Sequence, residues 1–157
     1  MSGEFFRVAL MSALGALLIW AAVTDLRSRI ISNRLNLAIA TLAPLWWIAS
    51  GLPLWPGAAL QLLLGVIVFA AFAALFAFGL MGGGDVKLLG ALALWFPWPV
   101  LLSLIVLMAI AGGGVTIATV IDHKLRHREG QPEIPYGVAI SLAGLWVIGE
   151  RYLNHFA

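Results

Sequence analysis

Two carboxylates stand where charge is costly. Asp85 follows Gly82, Gly83 and Gly84 between two strongly apolar stretches, and Asp25 ends the first apolar stretch of the chain. An ionisable group at the edge of a bilayer is expensive and reads by default as functional. Two carboxylates that meet cannot both ionise cheaply, so they share one proton. The ionised member then serves as general base on a water, and the protonated member polarises a carbonyl. Such a pair hydrolyses a peptide bond without metal, thiol or histidine. Three glycines beside Asp85 let the backbone bend and let another chain come close.

Each residue also has a plainer reading. Asp25 can be a boundary carboxylate paired with Arg27 or Arg29. Asp85 can be favoured by the dipole of a helix that starts there, with the glycines serving close packing. Lys87 can anchor the chain by snorkelling, or hold carbonyls of a bound segment and tune Asp85. Asp122 sits among His123, Lys124, Arg126, His127, Arg128, Glu129 and Glu133 and reads as solvated. His123 and His127 have i, i+4 spacing, but no carboxylate pattern completes a metal site. The expectation is no metal and no cofactor. Gly112, Gly113 and Gly114 read as a packing or bending point.

The elements that must position these residues are membrane helices. The chain has 157 residues, 62% hydrophobic and only 10% charged, against about 25% charged in a soluble domain. This is an integral membrane protein, and its length suits one domain over residues 1–157. The absence of cysteine excludes disulfides, thiol catalysis and cysteine-based metal centres. The pI near 9.5 hints at nucleic acid, but the net charge is only +2. Its basic residues lie in short loops, which is membrane topology and not a nucleic-acid face.

A helix needs about 20 apolar residues to cross the hydrocarbon core. Six spans are expected, at residues 5–23, 35–51, 57–80, 86–96, 99–121 and 135–153, with Trp46 and Trp47 suited to an interfacial belt. The fourth is short and the weakest. The only linker-like stretch is 122–133. Arg27, Arg29, Arg34, Lys87, Lys124, Arg126 and Arg128 fall in loops on one side, and only Arg7 and Arg151 on the other. The basic side is cytoplasmic, so both termini are expected on the non-cytoplasmic side, and Asp25 and Asp85 near the same cytoplasmic boundary.

Three stretches, in order, resemble the prepilin peptidases, the type IV leader peptidase family of GxGD aspartic proteases. MGGGDVKLLGAL matches the GxGD motif through Gly82, Gly84 and Asp85. TDLRSRIISNRLN is similar to the segment around the family's first aspartate, which Asp25 would supply. EIPYGVAI, with Pro135, Tyr136 and Gly137, resembles the stretch that opens the family's last helix. The resemblance implies an aspartic endopeptidase of the bacterial inner membrane with Asp25 and Asp85 as its catalytic pair. Its substrates would be type IV prepilins, cut at the cytoplasmic face after a glycine and before an apolar helix.

The sequence departs from the family at two places. An Ile-Pro-Asn stretch reads Ile31-Ser32-Asn33 here, and the loss of proline is expected to loosen the turn after Asp25. Bifunctional members carry an N-terminal region with paired cysteines and methylate the cut pilin. A chain without cysteine resembles the short form that serves tight-adherence (Flp-type) pili, with peptidase but no methyltransferase activity expected. A small transporter, or a non-catalytic pilus-assembly subunit, are the alternative classes. Against a transporter, the spans carry only scattered polar residues such as Thr41, Gln61, Ser103, Thr116 and Ser141. The sequence leaves the oligomeric state open.

Overall fold

The computed structural model describes residues 2–125 and 134–153. Six α-helices account for nearly all of them: α1 (Ser2–Ser28), α2 (Asn33–Ala49), α3 (Ala59–Ala77), α4 (Gly83–Ala93), α5 (Trp98–Leu125) and α6 (Tyr136–Leu153). A short wide turn, Leu54–Ala58, leads into α3. No strand occurs among the described residues. Arg126, His127, Arg128, Glu129, Glu133 and His155 lie outside them.

The helices are where hydropathy put them, but their lengths differ from the expected spans. Three stretches are long and apolar enough to cross a membrane: Gly3–Ser28, Leu54–Ala77 and Trp98–Leu125. By contrast α4 has only 11 residues, about 16 Å at 1.5 Å per residue. It cannot cover a core about 30 Å thick. Wherever an end of such a helix enters the apolar layer, the protein itself must satisfy its backbone.

Helices α4 and α6 each join three others. Helix α4 packs on α2, α3 and α6, while α1 packs on α2 and α6, and α5 on α6. From Asp85 to Ala93 every residue of α4 except Lys87 is buried. Glycines set the close spacing: a Cβ on Gly65 of α3 would come within 2.5 Å of Leu94, and one on Gly144 of α6 within 2.8 Å of Leu18.

The C-terminal carbonyls of this short helix are met by side chains. Gln61 Nε2 donates to Ala93 O and Phe96 O, both at 2.7 Å, and Trp47 Nε1 donates to Leu94 O at 2.7 Å. Trp46 stacks on Trp95 with ring centroids 6.2 Å apart. Trp46 and Trp47 are both half-buried and turned towards the C-terminal end of α4. Trp95 in turn donates to Ile39 O of α2 at 2.8 Å.

The turn after Asp25 is also firmer than expected. Arg29 takes φ 56° and its N–H donates to Asp25 O at 3.0 Å, a left-handed helix stop normally filled by glycine or asparagine. Three residues on, Ser32 is the N-cap of α2, and its Oγ accepts from Leu35 N at 3.2 Å. The expectation that Ser32 loosens this turn is therefore corrected: a capping hydrogen bond takes over from the rigid proline ring.

Candidate active site

The two aspartates reach one place from opposite directions. Asp25 lies one turn inside the C-terminal end of α1, and Asp85 lies in the first turn of α4. They are 5% and 8% exposed, and close enough that the charge of one acts on the other. The N-terminus of α6 closes the site. Asp25 Oδ2 accepts from the Val138 amide at 3.0 Å, and the Gly137 amide bonds to the same carboxylate. The positive end of the α6 dipole thus faces an acidic group, a favourable placement. The Asp85 N–H donates to Gly82 O at 3.1 Å, closing the first turn of α4. The hydrogen bonds assigned to Asp25 come from α6, not from an arginine, although the Arg29 charge lies near it.

Two glycines of the sequence motifs leave room for these carboxylates. A Cβ on Gly82 would stand 2.9 Å from Asp85 Oδ2, and one on Gly137 would stand 2.9 Å from Asp25 Cγ and Oδ2. Gly84 lets α4 come against the backbone of Ile31, whose Cβ would lie 3.2 Å away. The side chain of Ile31 reaches towards Gly137, so this one residue lies against both α4 and the start of α6. Gly83 faces Phe76.

The other singled-out residues divide. Pro135 is buried just ahead of α6. Tyr136 lies against Gly112 of α5, whose Cβ would be 3.6 Å from the ring. Gly113 and Gly114 meet nothing within 4 Å, so only the first glycine of that run serves packing. A cavity of about 420 Å³ opens there, lined by Met81, Met108, Gly112, Gly113, Thr116 and Tyr136 among others. Met81 and Tyr136 adjoin Gly82 and Gly137 in the chain, but neither Asp25 nor Asp85 lines the cavity. Lys87 points elsewhere: its Nζ donates to Asn33 Oδ1 at 2.8 Å. Asp122 and His123 fall in the last turns of α5.

One site residue escaped the sequence reading. Asn36 of α2 is 5% exposed, and its Nδ2 donates to Gly84 O at 3.1 Å, tying α2 to the glycine turn. The available signal was an amide side chain inside an apolar stretch, three residues beyond Asn33.

A buried carboxylate pair walled by glycines in an all-helical membrane protein is the architecture of a membrane-embedded peptidase. A family model described as the type IV leader peptidase family matches residues 12–117, a stretch that carries both Asp25 and Asp85. The chain belongs to the type IV leader peptidase family. The match ends before Pro135, Tyr136 and Gly137. No curated protein and no solved structure matches the chain.

Proposed function

We propose that the protein removes the leader from type IV prepilins of the Flp kind at the cytoplasmic face of the bacterial inner membrane, with Asp25 and Asp85 as the catalytic pair. The observation that supports this is that both carboxylates are buried, Asp25 against the start of α6 and Asp85 in the first turn of α4. One carboxylate, ionised, takes a proton from a water. The other, protonated, donates to the scissile carbonyl, and the roles reverse as the amine leaves.

The scissile bond must be extended, so the leader junction lies outside the pilin helix. The apolar helix of the substrate would lie in the cavity between α5 and Tyr136, where Gly113 leaves open space. In this reading all six helices belong to a single domain with both termini outside. Methylation is not expected, since the chain has no cysteine.

The test is co-expression of a candidate prepilin with the wild type, Asp25→Asn and Asp85→Asn, following leader loss by gel shift. Each substitution is expected to abolish processing while the protein stays inserted. Full processing by either variant would sink the assignment.

A further inference from the structure

The peptide unit that joins Gly84 to Asp85 is held at both ends. Its N–H, on Asp85, donates to Gly82 O at 3.1 Å. Its carbonyl, on Gly84, accepts from Asn36 Nδ2 at 3.1 Å. A peptide unit is rigid and planar, so fixing both ends fixes the direction in which the Asp85 side chain leaves the backbone. The hold matters more here than elsewhere in α4. Gly83 and Gly84 precede Asp85, and glycine leaves a backbone free to turn.

Asn36 adds little else to the fold. Gly84 is the second residue of α4, and the ladder of the helix already offers its carbonyl a donor four residues on. Helices α2 and α4 are also joined without Asn36: Trp47 donates to Leu94 O, Trp95 to Ile39 O and Lys87 to Asn33 Oδ1. Asn36 even carries a penalty. It is 5% exposed, and its Oδ1 is shut off from solvent and accepts from no donor among the described residues. A buried acceptor left unpaired lowers stability. Leucine has the same branched shape and no polar atom. Asn36 borders a cavity of about 530 Å³ between α2, α3 and α4, so the extra volume of leucine can be taken up there.

We infer that Asn36 is a positioning residue for Asp85: at a cost in stability, it clamps the peptide plane that aims the carboxylate. This role rests on the reading of Asp85 as one of the catalytic pair. The plainer role for a polar side chain between membrane helices is to hold them together. The two roles predict opposite stabilities once the amide is removed. A residue that only joins helices leaves a weaker protein behind. A residue that aims Asp85 at a cost leaves a protein as stable as before and slower.

The test compares the wild type, Asn36→Leu and Asn36→Gln, purified in mild detergent, by thermal melting and by steady-state cleavage of the candidate prepilin. Asn36→Leu is expected to melt no lower than the wild type. Its kcat is expected to fall roughly tenfold with KM unchanged, since a misplacement of about 1 Å costs about 100-fold. Asn36→Gln keeps an amide donor and should recover part of that loss. Thr41→Val removes another polar side chain of α2, one that bonds only within its own helix, and should match the wild type in both measurements. If Asn36→Leu melts clearly lower or fails to insert, Asn36 holds the fold together and the inference is overturned. An unchanged kcat, or a change in KM alone, overturns it as well.

A second readout needs no cleavage. The chain has three aspartates, Asp25, Asp85 and Asp122, so carboxyl carbon spectra of aspartate-labelled protein are simple, and Asp85→Asn assigns the Asp85 signal by its loss. Asn36→Leu is expected to move that signal and to leave the Asp122 signal in place. A wild type that does not cut prepilin removes the proposed function; an Asp85 signal unmoved by Asn36→Leu removes the positioning role.

Discussion

At the residue scale, the site is defined by what has been left out as much as by what is present. Gly82 and Gly137 each stand where a Cβ would press on a carboxylate at 2.9 Å. Gly82→Ala and Gly137→Ala are expected to lower processing roughly 100-fold by displacing a carboxylate by a fraction of an ångström to an ångström, with helix content by circular dichroism unchanged. Gly114→Ala, which meets nothing within 4 Å, is the control and should process as the wild type does. Wild-type rates from both glycine variants would mean that the carboxylates do not need the observed geometry. The glycines and aspartates were legible in the sequence because they interrupt apolar runs. Asn36 was not, because an amide becomes informative only when the carbonyl it meets, Gly84 O, is known.

At the element scale, the short helix α4 persists because its neighbours complete it. Gln61 bonds one carbonyl in its C-terminal turn, that of Ala93, and one beyond it, that of Phe96, and Trp47 a third. Removing one donor leaves a buried carbonyl unpaired, at a cost of about 1–3 kcal/mol. Gln61→Leu and Trp47→Phe are each expected to lower the melting temperature in detergent, Gln61→Leu more because two carbonyls lose their donor. Equal stability of Gln61→Leu and wild type would show that water or lipid satisfies those groups. At the other end of the site, Ser32→Ala removes the cap of α2 and should cost about 1 kcal/mol. Ser32→Pro, closer to the family pattern, forfeits that side-chain bond and supplies a fixed φ near that of Ser32, at −67°. Hydropathy had located these helices to within a few residues. It had not shown that Gln61, a lone polar residue in an apolar run, serves a neighbouring helix and not a path through the membrane.

At the scale of the whole molecule, three long apolar helices alternate in the chain with three shorter ones. The arrangement of basic loops argues for six crossings with both termini outside. Single thiols on the cysteine-free chain test this with a membrane-impermeant reagent. Gly3→Cys and Leu54→Cys should label from the non-cytoplasmic side, and Ser28→Cys and Leu80→Cys from the cytoplasmic side. Labelling of Gly3→Cys and Leu80→Cys from the same side would remove the six-crossing topology. The sequence by itself determined the solvent of this protein, the rough limits of its helices and the two costly carboxylates, because apolar runs and misplaced charges are local properties that need no partner to be read. Only the tertiary structure decided that Asp25 is held by the start of a helix 113 residues away, that Ser32 caps instead of loosening, and that Trp47 and Gln61 close the end of α4. Those facts belong to contacts between distant segments, and in a membrane such contacts depend on which polar backbone groups each helix leaves for its neighbours to satisfy.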